Sequence, residues 1–313
     1  MSEALQPDRC AADPAPSAHL EATPARHATL GALEIRRALP LRERRLVGPW
    51  CFLDRYGPVT FRDDLPMELA PHPHIGLQTV SWLLDGEVLH RDSLGSEALL
   101  HAGGLNLMTA GEGITHSEDT PMRNSGRLSG VQLWIALPDA TRHIAPSFEH
   151  HAESPVVTVG KGSLTVFLGE AAGVVAPAST FSPITGAELH VVRGGVAVVP
   201  LRPDFEYAVF VLEGDATLEG DPSLPDVLYY VGTGRHEMQI SSKPGVRLLL
   251  LGGAPFGEEI LMWWNFVART NEEIVAAVED WTNGRRFGRV PGHPRPPTPA
   301  PPLRGRAHPP AAS

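Results

Sequence analysis

The 313-residue chain carries 36 acidic and 26 basic side chains, a formal net charge of −10, and 42% of its residues are apolar. That balance excludes a protein that coats nucleic acid, which needs a concentrated basic face. No apolar run reaches the 18 residues of a spanning helix, so no membrane association is expected, and with only Cys10 and Cys51 a disulfide framework is excluded and a reducing cytoplasm fits.

Residues 1–27 hold four prolines among Ala, Ser and Asp, with no apolar core of a secretory signal, and read as a disordered arm. From residue 28 the chain becomes a series of short β-rich segments broken by Gly, Pro, Asn and Asp. Leu77–Leu84, Val131–Leu137, Ala208–Leu212 and Val246–Leu251 are the clearest strands, and their regular spacing predicts an all-β sandwich or barrel. The stretch from Pro138 to Pro155 is poor in apolar residues and reads as a connector. A faint echo, Leu83-Leu-Asp-Gly-Glu87 against Val211-Leu-Glu-Gly-Asp215, hints at two similar halves. The expected domains are therefore 28–145 and 146–290. The second ends in a helix over about Asn271–Trp281, where Ile274, Val275, Val278 and Trp281 follow helical spacing and Asn271, Glu272 and Glu273 suit its start. Residues 291–313, with nine prolines, read as a disordered tail.

Of fourteen histidines, two pairs carry chemistry. His72 and His74 precede the strand at 77; His116 and Glu118 follow the glycine turn Ala110–Gly113, which lacks the Lys and Ser/Thr of a phosphate loop. In extended backbone, residues i and i+2 share a face. If the two strands pair inside a barrel, three imidazoles and one carboxylate converge. Such a set suits Fe(II), Mn, Ni, Cu or Zn rather than the oxygen-seeking Ca or Mg. One His-x-His pair is more often a hydrogen-bonding pair beside a turn, but two on consecutive glycine-bounded strands favour a metal. His19, His27, His293 and His308 read as solvated, and His143, His150 and His151 as a surface cluster. His190 and His236 are isolated, so the second half is expected to be metal-free. Trp263, Trp264 and Phe266 read as buried core rather than pocket wall.

His72-Pro-His-Ile-Gly-Leu-Gln-Thr-Val80, His90-Arg-Asp-Ser-Leu-Gly95 and Met108-Thr-Ala-Gly-Glu-Gly-Ile-Thr-His-Ser-Glu118 resemble the signature of the pirin family, and Pro255–Ile260 with Trp263–Phe266 resembles bacterial pirins. The likeness runs from about residue 30 to 290. It implies an all-β bicupin of two antiparallel jelly-roll barrels, with one metal, Fe(II) or another divalent transition ion, held in the first by His72, His74, His116 and Glu118. The family commonly has Arg-Gly-Phe-Glu where this chain has Ile75-Gly-Leu-Gln78; Gln78 stands where other cupins place a ligand Glu, but pirins do not use that position, so the resemblance implies that the metal site survives the change. The resemblance implies a quercetin 2,3-dioxygenase-type activity on a flavonol or catechol with O2, Glu118 taking the substrate's proton and carbon monoxide leaving. The rival it implies is a non-catalytic, iron- or redox-dependent regulator that binds a protein partner, a transcription factor or a metabolic enzyme.

Overall fold

A computed structural model describes residues 20–31, 33–62 and 65–303. Strands make up 55% of it and helix 4%, so the all-β expectation holds, and the strands form two cupin domains. The first eleven strands are β1 (Glu21–Pro24), β2 (Arg26–Leu30), β3 (Leu33–Leu39), β4 (Trp50–Thr60), β5 (Glu68–His74), β6 (Leu77–Asp92), β7 (Glu97–His101), β8 (Leu105–Thr109), β9 (Ile114–Asp119), β10 (Arg127–Ala136) and β11 (Ser147–His151). One antiparallel sheet runs β11-β8-β6-β10-β4-β3-β2. β6 is long enough to leave it: before Gly86 it pairs with β8 and β10, and beyond it with β7 and β9, which carries β5 at its edge. Gly86 has φ +89°, and a Cβ there would meet the Arg127 carbonyl at 2.1 Å. Only glycine makes that bend. Gly214 repeats it in the second half, with φ +76° and a Cβ 2.2 Å from the Gly245 carbonyl. The sequence echo is thus a repeated strand-bending device.

The second sheet contains strands 156–159, 162–171, 184–191, 246–253, 206–214 and 227–232 in spatial order, and a smaller four-stranded sheet covers it. Its interior is apolar, built on Val166, Leu189, Val209, Ile240 and Leu248. The two large sheets pack face to face over one shared core. Trp82 stacks on Phe167 with centroids 4.8 Å apart, and its indole N–H donates to Glu188 across the interface. Trp50 likewise donates to the Thr185 and Gly252 carbonyls. Truncating a buried aromatic of this kind costs about 3–5 kcal/mol, so Trp50 and Trp82 tie the two halves through a shared core.

The sequence boundaries need three corrections. Part of the arm is ordered: β1 pairs with residues 227–230 of the second sheet, and β2 with β3. Residues 1–19 lie outside the described set. The connector contains β11, which pairs with β8 and so extends the first sheet past residue 145. The tail is tied down as far as Leu303, which packs against the Phe266–Phe287 cluster; residues 304–313 are not among those described.

The helix α1 spans Asn271–Thr282, but its N-cap is Thr270, whose hydroxyl accepts from the Glu273 amide at 3.2 Å. Glu272 and Glu273 lie in its first turn, where negative charge suits the helix dipole. Ile274 and Ala277 face Phe266 and Phe287, a cluster that rests on Ile75 of the first barrel. The end of the chain therefore returns to the β5–β9 side, where the histidines are.

Candidate metal centre

β5 holds Pro71 and Pro73, which cannot donate to a ladder, and it is correspondingly an edge strand paired to β9 alone. The register sets His72 opposite His116, and the i+2 rule brings His74 to the same interior face. The nitrogens of His72, His74 and His116 lie within 4.8 Å of one another. His72 Nδ1 lies 2.9 Å from the Ala70 carbonyl and His74 Nδ1 3.0 Å from the Asn265 carbonyl. A carbonyl only accepts, so both Nδ1 atoms carry hydrogen and both Nε2 lone pairs are directed elsewhere. His74 Nε2 and His116 Nε2 stand 3.1 Å apart. At that spacing both lone pairs could reach one ion at the usual metal–nitrogen distance of about 2.1 Å.

Burial pushes the His72 imidazole down to about 4, and His74 and His116 well below the ordinary histidine value, with neighbouring imidazoles adding to the effect. At neutral pH all three are uncharged, the form that binds metals. Burial raises Glu118, against the opposing hydrogen bond from Ser81 at 2.7 Å. Glu118 groups with His116 and His90 rather than directly with the other two histidines, so His116 joins the two sets. The four residues all face one cavity, and their neutral nitrogens and single carboxylate fit a transition-metal ion.

His90 and Asp92 are members of the site that the sequence reading gave no role. His90 is buried, stacked on Phe148 at 4.2 Å, with Nδ1 3.5 Å from His116 Nδ1 and Nε2 3.2 Å from Asp92 Oδ2. Their i, i+2 spacing was the available signal. Gln78 stands apart from the site. Its amide donates to Thr109 Oγ1 and the Ser179 carbonyl, towards the second domain, and it does not line the cavity.

The cavity is about 790 Å³. Phe52 and Trp134, stacked at 4.1 Å, form one wall, with the Trp134 ring 5.2 Å from that of His74. Trp263 and Trp264, half-buried against the Phe266–Phe287 cluster, also line the cavity, whereas Phe266 is fully buried as expected. Thr298 and Leu303 complete the lining. The tail reaches them because the Thr298 amide donates to the Pro71 carbonyl, Trp281 donates to Thr298, His293 meets Asp119 and Arg295 pairs with Glu68. Its prolines fix an extended path and lower the entropy of ordering it.

Two cupin barrels sharing a core, with one His/Glu donor cluster confined among the described residues to the first, define a bicupin with a single candidate metal centre. Residues 32–135 match the family model described as Pirin, and residues 186–288 that of the Pirin C-terminal cupin domain. The chain belongs to the pirin family. A Pseudomonas aeruginosa protein named "Putative quercetin 2,3-dioxygenase" is 43% identical over 274 residues, 87% of each chain. A pirin-like protein of Caulobacter vibrioides is 36% identical over 83% of this chain and 92% of its own. A crystal structure of quercetin 2,3-dioxygenase from Acinetobacter baumannii superimposes with a TM-score of 0.88 at 41% identity, covering 92% of this chain and 98% of that one.

Proposed function

We propose that the protein is a mononuclear Fe(II) oxidoreductase that opens the heterocyclic ring of a flavonol with dioxygen. The observation that carries this reading is the position of His72, His74, His116 and Glu118 in a cavity walled by stacked aromatic rings and large enough for a three-ring substrate. The relatives named for quercetin cleavage support it. A ferrous ion held by those residues supplies the Lewis acidity and one-electron chemistry that triplet dioxygen needs to react with a closed-shell phenol.

The protein's own part is positioning and proton transfer. Phe52 and Trp134 offer a flat apolar face that orients the ring system and excludes water. Glu118 accepts the proton of the flavonol 3-hydroxyl, and the Ser81 hydroxyl, 2.7 Å from its Oε1, orients that carboxylate. Both atoms of dioxygen enter the opened product and the excised ring carbon leaves as carbon monoxide. No helix among the described residues is long and apolar enough to cross a membrane; the acidic, cysteine-poor composition supports a cytoplasmic setting.

The test is oxygen uptake by anaerobically iron-loaded protein on addition of quercetin. Uptake that requires both iron and quercetin is expected; none would overturn the enzymatic reading and leave the iron-dependent regulator.

A further inference from the structure

The interior face of the first sheet carries two neighbouring cross-strand rows. Trp134 pairs in register with Phe52, forming the aromatic wall. Two residues further along each strand, Gln132 pairs with Asp54 on one side and Ser81 on the other, and Asp54 pairs with Arg37. Hydrogen bonds tie each end of the second row. The Arg37 guanidinium donates through Nε and Nη2 to both Asp54 oxygens at 2.8 and 2.6 Å, and Ser81 Oγ lies 2.9 Å from Gln132 Oε1 and 2.7 Å from Glu118 Oε1. All but Ser81 line the cavity.

The row therefore begins at a residue of the candidate centre and ends at a charged pair on the far side of the same cavity. Arg37 to Ser81 spans three strand intervals, about 14 Å at the usual spacing. The Arg37 side chain lies over the Phe52 ring, its guanidinium carbon 4.7 Å from the centroid, so the charged end and the aromatic wall meet. Pairing with Asp54 uses one edge of the guanidinium, and Nη1 is on the other. Asp54 is only 3% exposed, and a fixed fork of this kind is set to donate to an oxygen arriving along the ring plane.

We propose that Arg37 and Asp54 form a distal subsite for a second oxygen function of a flat, two-ended phenolic substrate whose first hydroxyl lies at Glu118. The preferred class is then a fused or linked multi-ring polyphenol. A single-ring catechol is too short to reach both ends. This inference rests on the reading of the site as one for phenols.

The test compares two ligands sharing the three-ring frame and the 3-hydroxyl. Quercetin carries four further hydroxyls and 3-hydroxyflavone none. Their affinities for the iron-loaded protein are measured anaerobically by quenching of tryptophan fluorescence, so that binding is read without turnover. A hydrogen bond to a charged group predicts a preference for quercetin of about ten-fold or more. Arg37→Met should bring the ratio of affinities close to one. Because that change strands Asp54, the double variant Arg37→Met/Asp54→Leu, which replaces the pair by apolar side chains of similar size, should give the same loss with the fold intact. A ratio near one in the unaltered protein, or a ratio untouched in the double variant, overturns the proposal. Failure of the enzymatic reading looks different: the preference persists while quercetin is never consumed.

Discussion

His90 Nδ1 lies 3.5 Å from His116 Nδ1, while the other nitrogen of His90 lies 3.2 Å from Asp92. For His116 to direct Nε2 at the cluster, its Nδ1 must carry the proton; His90 then accepts it and donates its own N–H to Asp92. Asp92 is fully buried. Burial alone would raise its carboxyl, but the His90 N–H and the Ser96 amide outweigh that and hold it below the usual carboxylate value. His72 and His74 are oriented by backbone carbonyls, so His116 is the member of the triad whose orientation is set by side chains.

It follows that Asp92→Asn, which offers His90 an amide in place of an anion, should weaken metal binding by about 10–100-fold. Competition against a chelator measures this, and unchanged affinity would show that the His90–Asp92 pair does not orient His116.

Removing nitrogen donors acts more directly. His74→Ala should strip most of the metal, and a His72→Ala/His74→Ala protein should bind none under elemental analysis. Stoichiometric metal in the double variant would place the ion elsewhere.

The metal-free protein should lose stability in acid. The unfolded chain takes up protons on its histidines near 6.5, whereas folded His72 resists until about 4 and His74 and His116 resist further. Between those values the unfolded state binds more protons, so stability is complete above about pH 6.5 and falls as pH drops towards 4. Glu118, raised in the fold, works the other way, but one carboxylate opposes three imidazoles. Melting temperatures of metal-free protein at pH 7.5, 5.5 and 4.5 should fall in that order.

Trimming residues 292–313 should also matter. It removes the Trp281–Thr298 and His293–Asp119 contacts and part of the cavity wall. A loss of about 1 kcal/mol would lower the melting temperature by roughly 2–4 °C. An unchanged melting curve together with unchanged quercetin affinity would show that the strap is ornamental.

The strands and the histidines were legible because both depend on local pattern: alternation, glycine punctuation, and the i, i+2 spacing of His72/His74 and His116/Glu118. The tail's prolines and arginines signal disorder by composition, while its order comes from bonds to Trp281 and to Pro71 and Glu68, the last two more than 200 residues away in sequence. Trp263 and Trp264 read as core alone for a related reason: the hairpin that holds them packs on Ile75 of the first barrel, beside the cavity that their outer faces line. Gln78, at a position that other cupins use for a ligand and pirins do not, directs its amide to Thr109 and to the Ser179 carbonyl of the second domain, a contact that no local pattern signals. The Arg37–Gln132 row depends on strand register, which no single segment encodes.

Glu118 separates binding from proton transfer. Glu118→Gln keeps an oxygen donor of similar size and removes basicity, so metal content should fall only in part. The rate of quercetin cleavage should drop about 10²–10⁴-fold. Parallel loss of metal and rate would reduce Glu118 to a ligand.

The most direct measurement of the central claim is the carbon monoxide released by iron-loaded protein consuming dioxygen with quercetin. Flavonol ring cleavage predicts one carbon monoxide for each dioxygen taken up, abolished by chelation of the metal. Oxygen consumed without carbon monoxide, or carbon monoxide formed equally well by the His72→Ala/His74→Ala protein, would contradict it.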